Sequence, residues 1–362
     1  MSKQQQTPKV SVVMSVYNGE LYLHEAINSI LEQSYDDFEF VIVEDGSTDN
    51  TLSIVEAYAQ QEARIVVVRN ETNIGLQRSL NKGLRASRGE YIARLDADDI
   101  SLATRLQTQV AYLEAHPHVG LLGTAVEMID EQGNPYYTQN FPADHDSLHA
   151  LLLFDNCLHH SSVMFRRNLV AQAGYDETKR YVEDYDLWWR LSRVTQLANL
   201  PDVLVRRRYR DESISWRYRA PMLLAAMQLS LNAVRESLHD KSIDAEAYKR
   251  FWWTYYSQRT QLPEAQAQLQ TGDIKKLEPF WELLAQHPAG AKIWGPRLQD
   301  LVYLLLRHRR YTVEALQLQL VVKHHLLMPI VWSSTLKKLL KPYIPSVGVQ
   351  MWKNWQLKQS GT

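Results

Sequence analysis

Two rhythms alternate along the N-terminal part of the chain. Short apolar runs of strand length, at residues 10–16, 38–43, 64–68 and 91–95, are separated by stretches with helical spacing. In the first such stretch the apolar positions are Leu21, Leu23, Ala26, Ile27, Ile30 and Leu31. A second helix is expected from a cap at Asp49 to about residue 60, and a third over 75–86. This alternation predicts an α/β fold, a mostly parallel sheet with helices on both faces. In such sheets ligands sit at the carboxyl ends of the strands.

The pattern then changes twice. Residues 101–215 are mixed, with strand-like runs at 119–129, 161–165 and 200–209, a turn at 131–134, and a helix at 184–194 that puts Leu187, Trp188 and Leu191 on one face. From about residue 220 the spacing is helical: 222–238, 245–256, 277–284, 297–306, 313–322 and 335–340. That change divides the chain into an α/β domain, 1–219, and a helical C-terminal region, 220–362.

Composition narrows the class. A chain of 362 residues can bury a large core, and a net charge of −1 argues against nucleic acid as a partner. The single cysteine, Cys157, excludes an internal disulfide and reads as a small buried hydrophobe. The polar N-terminus has no apolar signal segment, and no run approaches the roughly 18 apolar residues of a membrane span. A cytoplasmic location is therefore expected. Beyond Gly290 the chain is rich in Lys and Arg, holds only Asp300 and Glu314 as anions, and interleaves Trp294, Trp332, Trp352 and Trp355. Such a stretch suits either an interfacial helix on an anionic membrane surface at the inner face of the cell membrane, or the solvated face of a helical bundle.

Three carboxylate clusters carry the candidate chemistry. Glu44-Asp45-Gly46-Ser47 closes the second strand, where a carboxylate can accept hydrogen bonds from a base or a ribose. Asp96-Ala97-Asp98-Asp99 follows the fourth strand. With strand geometry Asp96 and Asp98 would share a face, and a hard divalent cation between them would relieve their repulsion. Glu183-Asp184 precedes a helix and could supply a general base, or could simply complement the helix dipole.

These clusters stand in order with Ser11-Val12-Val13-Met14-Ser15-Val16-Tyr17-Asn18, Asn73-Ile74-Gly75, His160-Ser161-Ser162-Val163-Met164-Phe165-Arg166 and Asp186-Leu187-Trp188. Over about residues 9–217 the chain resembles the family 2 glycosyltransferases. The resemblance implies the GT-A fold, an inverting transfer from a nucleotide-sugar donor, and Mn or Mg as cofactor. It implies that Ser15 and Tyr17 lie on the donor side, Tyr17 stacking on the base while Asp45 hydrogen-bonds it. It implies Asp96 near ribose or metal, Asp98 on the metal, Asp184 as catalytic base, and Glu183 and Trp188 on the acceptor side. Arg78 is a candidate for the diphosphate or base edge. His160 is expected near the acceptor or diphosphate, with His159 structural.

Two departures from the family pattern matter. Many members carry a histidine shortly after a Tyr-Arg pair; here Tyr209-Arg210 is followed by Asp211-Glu212-Ser213, so Asp211 or Glu212 would have to substitute. The signature of processive synthases is also missing, which predicts transfer of one sugar to a glycan or lipid-linked acceptor. Uridine diphosphate is the expected carrier, since Asp45 suits a uracil edge; thymine presents the same edge. The cations Arg206, Arg207, Arg208 and Arg210 could meet a lipid-linked pyrophosphate or anionic headgroups, with at least one of them solvated. The alternative from another class is a catalytically silent relative acting as a binding or scaffold subunit. A nucleotidyltransferase would need a glycine-rich, basic loop where Tyr17-Asn18-Gly19-Glu20 stands.

Overall fold

The computed structural model describes residues 7–170, 174–210, 218–239, 242–260, 269–270, 272–307 and 318. The chain divides into two compact units, Met1–Ser237 and Leu238–Thr362. The helices expected at 313–322 and 335–340, and the basic stretch beyond residue 307, lie outside the described residues except for Leu318.

The first unit opens with β1 (Val10–Val16), α1 (Leu23–Leu31), β2 (Phe38–Glu44), α2 (Thr51–Gln61), β3 (Ile65–Arg69), α3 (Leu76–Ala86) and β4 (Tyr91–Arg94). These four strands are parallel, in the spatial order β3-β2-β1-β4. β1 and β2 are apolar on both faces because helices cover both. On one face Val12, Met14, Phe40 and Ile42 pack with Leu23, Ile27 and Ile30 of α1. On the other, α3 lies so close that a Cβ on Gly83 would stand 2.7 Å from Val13 Cγ1. Glycine at that position lets the helix settle on the sheet.

Beyond β4 come β5 (Ile100–Ser101), α4 (Arg105–Ala115), β6 (Val119–Ile129), β7 (Pro135–Gln139), α5 (His145–Leu152), β8 (Met164–Arg166), α6 (Glu183–Ser192), β9 (Gln196–Arg208) and α7 (Arg219–Ser237). The sheet continues β4-β8-β6-β9-β5, with β7 alongside β6. β8 is a three-residue wedge running antiparallel to both β4 and β6, whereas β6 and β9 are parallel. The parallel strands expected of the first hundred residues are β1 to β4, and the strands added by the mixed stretch after them run both ways. The helix α5 has no counterpart in the sequence expectation; Asp144 caps it by accepting from the Ser147 N–H at 2.9 Å.

The pattern change near residue 220 does not coincide with the division between the units, because α7 packs with the first. Ser230 Oγ donates to the Leu153 carbonyl at 3.0 Å, and Trp189 Nε1 donates to Glu236 Oε2 at 3.0 Å.

The second unit contains α8 (Ala245–Thr260), α9 (Asp273–Lys276), α10 (Glu278–Gln286) and α11 (Gly290–Arg307). Its core is aromatic, with Tyr248, Phe251, Trp252, Phe280, Trp281 and Trp294 buried. Phe251 meets Trp281 edge-on at 5.1 Å, and Trp252 stacks on Tyr256 at 3.9 Å. Asp273, fully enclosed, accepts a two-pronged bond from Arg250 at 2.8 and 2.9 Å. Among the described residues no helix is long and apolar enough to cross a membrane.

Candidate active site

The parallel register puts the carboxyl ends of β1, β2 and β4 on one edge of the sheet. The loops leaving β1 and β2 are tied together there. Asn18 Oδ1 accepts from the Thr48 N–H at 2.9 Å, Asp49 Oδ2 from the Glu20 N–H at 3.2 Å, and Glu20 Oε2 from the Asn50 N–H at 3.0 Å. Asp49 is thus a loop clasp that also accepts the first N–H of α2, from Thr51 at 3.0 Å, although the N-cap position itself belongs to Asn50, one residue later than expected. Tyr17, 47% exposed, presents its ring on this rim, and Ser15 is half-buried opposite Val43 in the register.

Asp45 lies inside the rim and is 2% exposed. Its Oδ1 accepts from Asn70 Nδ2 at 2.8 Å and the Ile74 N–H at 2.9 Å, and Oδ2 accepts from the Gly75 N–H at 3.1 Å. The carboxylate thus fastens the entry of α3 to the end of β2. Gly46, at φ +69°, makes this possible: a Cβ there would stand 2.5 Å from the Thr72 carbonyl carbon. Arg78 sits at the mouth of the site, exposed, and pairs with Glu177 at 3.1 Å.

The Asp96–Asp99 segment leaves the sheet sooner than expected. β4 ends at Arg94 and Ala97-Asp98 form a turn, so Asp96 and Asp98 do not share a strand face. Each acid instead has its own partner. Asp96 is held by the buried Arg94 guanidinium and by Ser161 Oγ, which donates to Asp96 Oδ2 at 2.9 Å and accepts the Asp96 N–H at 3.0 Å. Burial would raise its pKa, but the Arg94 guanidinium and the Ser161 hydroxyl together hold it well below the usual carboxylate range. Asp98 Oδ2 pairs with Arg210 Nη2 at 3.1 Å. Burial, and then the charge of Asp96, push Asp98 up. Asp99, buried, accepts from the Arg208 N–H at 2.8 Å and is pushed up by burial and by its two acidic neighbours.

Facing this cluster are His160 and α6. His160 Nε2 and the Tyr175 hydroxyl share a 2.7 Å hydrogen bond. Burial, with Arg94 nearby, pushes His160 down to about 3, so its ring is neutral. His159 is likewise pushed down to about 3, by burial and then Arg207. Trp188 is 0% exposed and meets His160 and Phe165 ring to ring at 6.0 and 6.2 Å, so it supports the site from behind and does not line it. Its neighbour Trp189 is also buried, against His149.

Asp184 opens the first turn of α6. It follows Tyr181, whose φ of 70° is a strained conformation for a bulky residue. Asp184 Oδ2 accepts from Asn156 Nδ2 at 2.9 Å and Oδ1 from the Tyr185 N–H at 2.7 Å. Burial raises its pKa, opposed by those donors and reinforced by the charge of Asp96. Glu183, buried, accepts from Gln77 Nε2 at 2.9 Å and is pushed up to about 7 by burial and then by Asp184. A half-buried carboxylate of raised basicity, held by an amide, can take a proton from a hydroxyl.

The four clustered arginines separate by function. Arg208 is buried, donating to Glu25 and to the Asp98, Asp130 and Glu131 carbonyls, and stacks on Tyr22 at 4.4 Å. Arg206 pairs with Glu127 at 2.8 Å. Arg210 is on Asp98, and Arg207 acts electrostatically on Asp96, Asp98, Asp99 and Asp184. A divalent ion at Asp98 would find a guanidinium already in place, and Asp96 is committed to Arg94 and Ser161. Among the described residues no group of three His, Cys, Asp or Glu is arranged to hold a metal ion. Asp211 and Glu212 lie outside the described residues. Among the described residues, the side chains around Asp98 fit guanidinium neutralisation better than a dedicated cation site.

Sequence reasoning missed Arg94, Asn156, Ser161 and Gln77 as partners of the acids. Only Arg94 carried a local signal, a cation at the end of a buried strand beside an acidic run.

Comparison with known proteins bears on the family and the fold. The family model described as Glycosyl transferase family 2 matches residues 11–173. The chain is 34% identical over 247 residues to a glycosyltransferase of Haemophilus influenzae, covering 66% of this chain and 76% of that one. It is 34% identical over 229 residues to the amylovoran biosynthesis glycosyltransferase AmsE of Erwinia amylovora, covering 61% of this chain and 86% of AmsE. It is 30% identical over 240 residues to the O-antigen biosynthesis glycosyltransferase WbnJ of Escherichia coli, covering 65% and 91%. A crystal structure of S. aureus TarS in complex with UDP-GlcNAc superposes with a TM-score of 0.54 at 18% identity, covering 87% of this chain and 91% of TarS, a likeness of fold. A sheet of this topology, with its acids gathered at the carboxyl edge and relatives of this kind, places the chain in glycosyl transferase family 2, as a glycosyltransferase of GT-A fold.

Proposed function

We propose that this glycosyltransferase moves a single sugar, with inversion, from a nucleoside diphosphate sugar to a hydroxyl of a glycan or lipid-linked acceptor. Uridine diphosphate is the proposed carrier, and cell-surface polysaccharide or glycolipid assembly the proposed setting. The names of AmsE and WbnJ, amylovoran and O-antigen biosynthesis, support that setting. The observation that carries the reading is Asp184, a half-buried carboxylate with raised basicity, oriented by Asn156 and facing the acids beyond β4.

In the proposed reaction the acceptor oxygen attacks the anomeric carbon as Asp184 takes the hydroxyl proton. The bond from that carbon to the phosphate oxygen breaks, and its electron pair leaves with the nucleoside diphosphate. One in-line displacement inverts the configuration and needs no covalent enzyme intermediate. Tyr17 offers its exposed ring to the base, and Asp45 shapes the base side through the 70–75 loop it fastens. Ser15 and Asp96 belong to the donor side, Arg78 to its mouth, and Glu183 and His160 to the acceptor side, with Trp188 behind them. Mn or Mg, common in the family, would enter at Asp98 only by displacing Arg210. The helical region beyond residue 220 is assigned to the acceptor or to an anionic membrane surface, on its basic composition.

The test is Asp184→Asn, which keeps shape and removes the base. Turnover should fall roughly a hundredfold to ten-thousandfold, with nucleotide affinity retained in calorimetry. Wild-type turnover in this variant would remove Asp184 from the reaction.

A further inference from the structure

We infer that Arg207 and Arg210 form a cationic clamp for the donor's diphosphate, and that nucleotide binding here does not depend on a divalent ion. The inference rests on the glycosyltransferase reading above. Its basis is how the arginines around the acidic cluster are engaged. Arg94 is spent on Asp96, Arg105 on the Arg94 and Val163 carbonyls, Arg206 on Glu127 and Arg208 on Glu25 and three carbonyls. Arg94 Nε and Arg105 Nη1 also lack a partner among the described residues, but both side chains are fully enclosed, whereas Arg207 and Arg210 are half-buried and keep donors within reach of a ligand. Arg210 pairs with Asp98 through Nη2, while its Nε is buried without a hydrogen-bond partner among the described residues. Arg207 is half-buried and makes no hydrogen bond or ion pair among the described residues, yet its charge reaches Asp96, Asp98, Asp184, His159 and His160.

A guanidinium has five donors in a planar fork that matches phosphate oxygens. Among the described residues, a half-buried cation and an orphaned buried N–H thus stand around the same acid, Asp98, with donors that an anionic ligand can complete. A diphosphate does so, with several acceptor oxygens and a charge that two arginines can balance. Arg210 also does at Asp98 what a metal ion would do: it neutralises the carboxylate and leaves positive charge facing the ligand. The same chemistry could come from a lipid diphosphate acceptor, so the experiment separates the two sources.

Calorimetry on the full chain would measure binding of UDP, GDP, dTDP, uridine and farnesyl diphosphate, in EDTA and in Mn, for wild type, Arg207→Ala, Arg210→Ala and Arg206→Ala. Wild type should bind one nucleoside diphosphate equally in both buffers, within about threefold. Arg207→Ala and Arg210→Ala should each weaken it roughly tenfold to a hundredfold in EDTA. Arg206→Ala, and the affinity of each variant for the bare nucleoside, should not move, which excludes misfolding. Arg210→Ala should regain affinity on adding Mn, because Asp98 is then free to take the ion. Wild-type binding abolished by EDTA, or undiminished binding in both arginine variants, overturns the inference. Loss confined to farnesyl diphosphate moves the clamp to the acceptor and overturns it too. If no nucleoside diphosphate binds in either buffer, the donor-site reading itself fails and the clamp with it.

Discussion

Asn156→Ala tests whether Asp184 works as a tuned base. Asn156 Nδ2 donates to Asp184 Oδ2 at 2.9 Å, and that bond favours the charged carboxylate. Burial and the charge of Asp96 push the other way and leave the pKa above the ordinary aspartate value. A base must be deprotonated to act, so turnover should rise with pH through this raised pKa and then level off. Hydrogen bonds to a charged group are worth about 1.5–3 kcal/mol, and the half-buried position of Asp184 argues for the lower end. At about 1.4 kcal/mol per unit, losing the bond should move the acid limb upward by roughly one pH unit. Turnover on the limb should then fall about tenfold, while the plateau at high pH stays near wild type. The assay is nucleoside diphosphate release at saturating donor and acceptor across the pH range. An unmoved limb would refute the tuning argument, and so would a plateau that collapses with the midpoint unchanged.

Other consequences are testable by unfolding. Gly46→Ala should cost about 1–3 kcal/mol, because the residue sits at φ +69° and the new methyl meets the Thr72 carbonyl carbon at 2.5 Å; an unchanged melting temperature would count against that crowding. Trp188→Ala should cost roughly 3–5 kcal/mol from an enclosed position, with a denaturant midpoint near wild type as the contrary result. In the second unit, burial would raise Asp273, but Arg250 and the Gln270 N–H overrule it and hold the carboxyl below its usual range. Its stabilising effect is therefore present above the unfolded-state value and lost as pH falls through the depressed folded value. Asp273→Asn should lower stability at neutral pH and flatten that acid loss, and parallel pH–stability curves for variant and wild type would contradict it.

The sequence by itself determined a good deal. Mostly apolar runs at 10–16, 38–43 and 91–95 became the parallel strands β1, β2 and β4, because a strand buried on both faces is predominantly apolar, its few polar residues such as Ser11 and Glu39 being paired with each other. The acids after those strands were legible because strand-end position and residue type are local properties. Other features were not local. The three-residue β8, too short to carry a period, enters the sheet antiparallel between β4 and β6 because those neighbours leave it a place. Asp96 and Asp98 looked like a strand pair, and only the end of β4 at Arg94 separated them. Within the run Arg206-Arg207-Arg208-Tyr209-Arg210 the four cations are all arginine. Tertiary packing alone decided which guanidinium is buried structure, which is a surface pair and which two face the acids. Their partners Glu25, Glu127 and Asp98 lie far away in sequence, and the energy of a charge depends on what folding brings beside it.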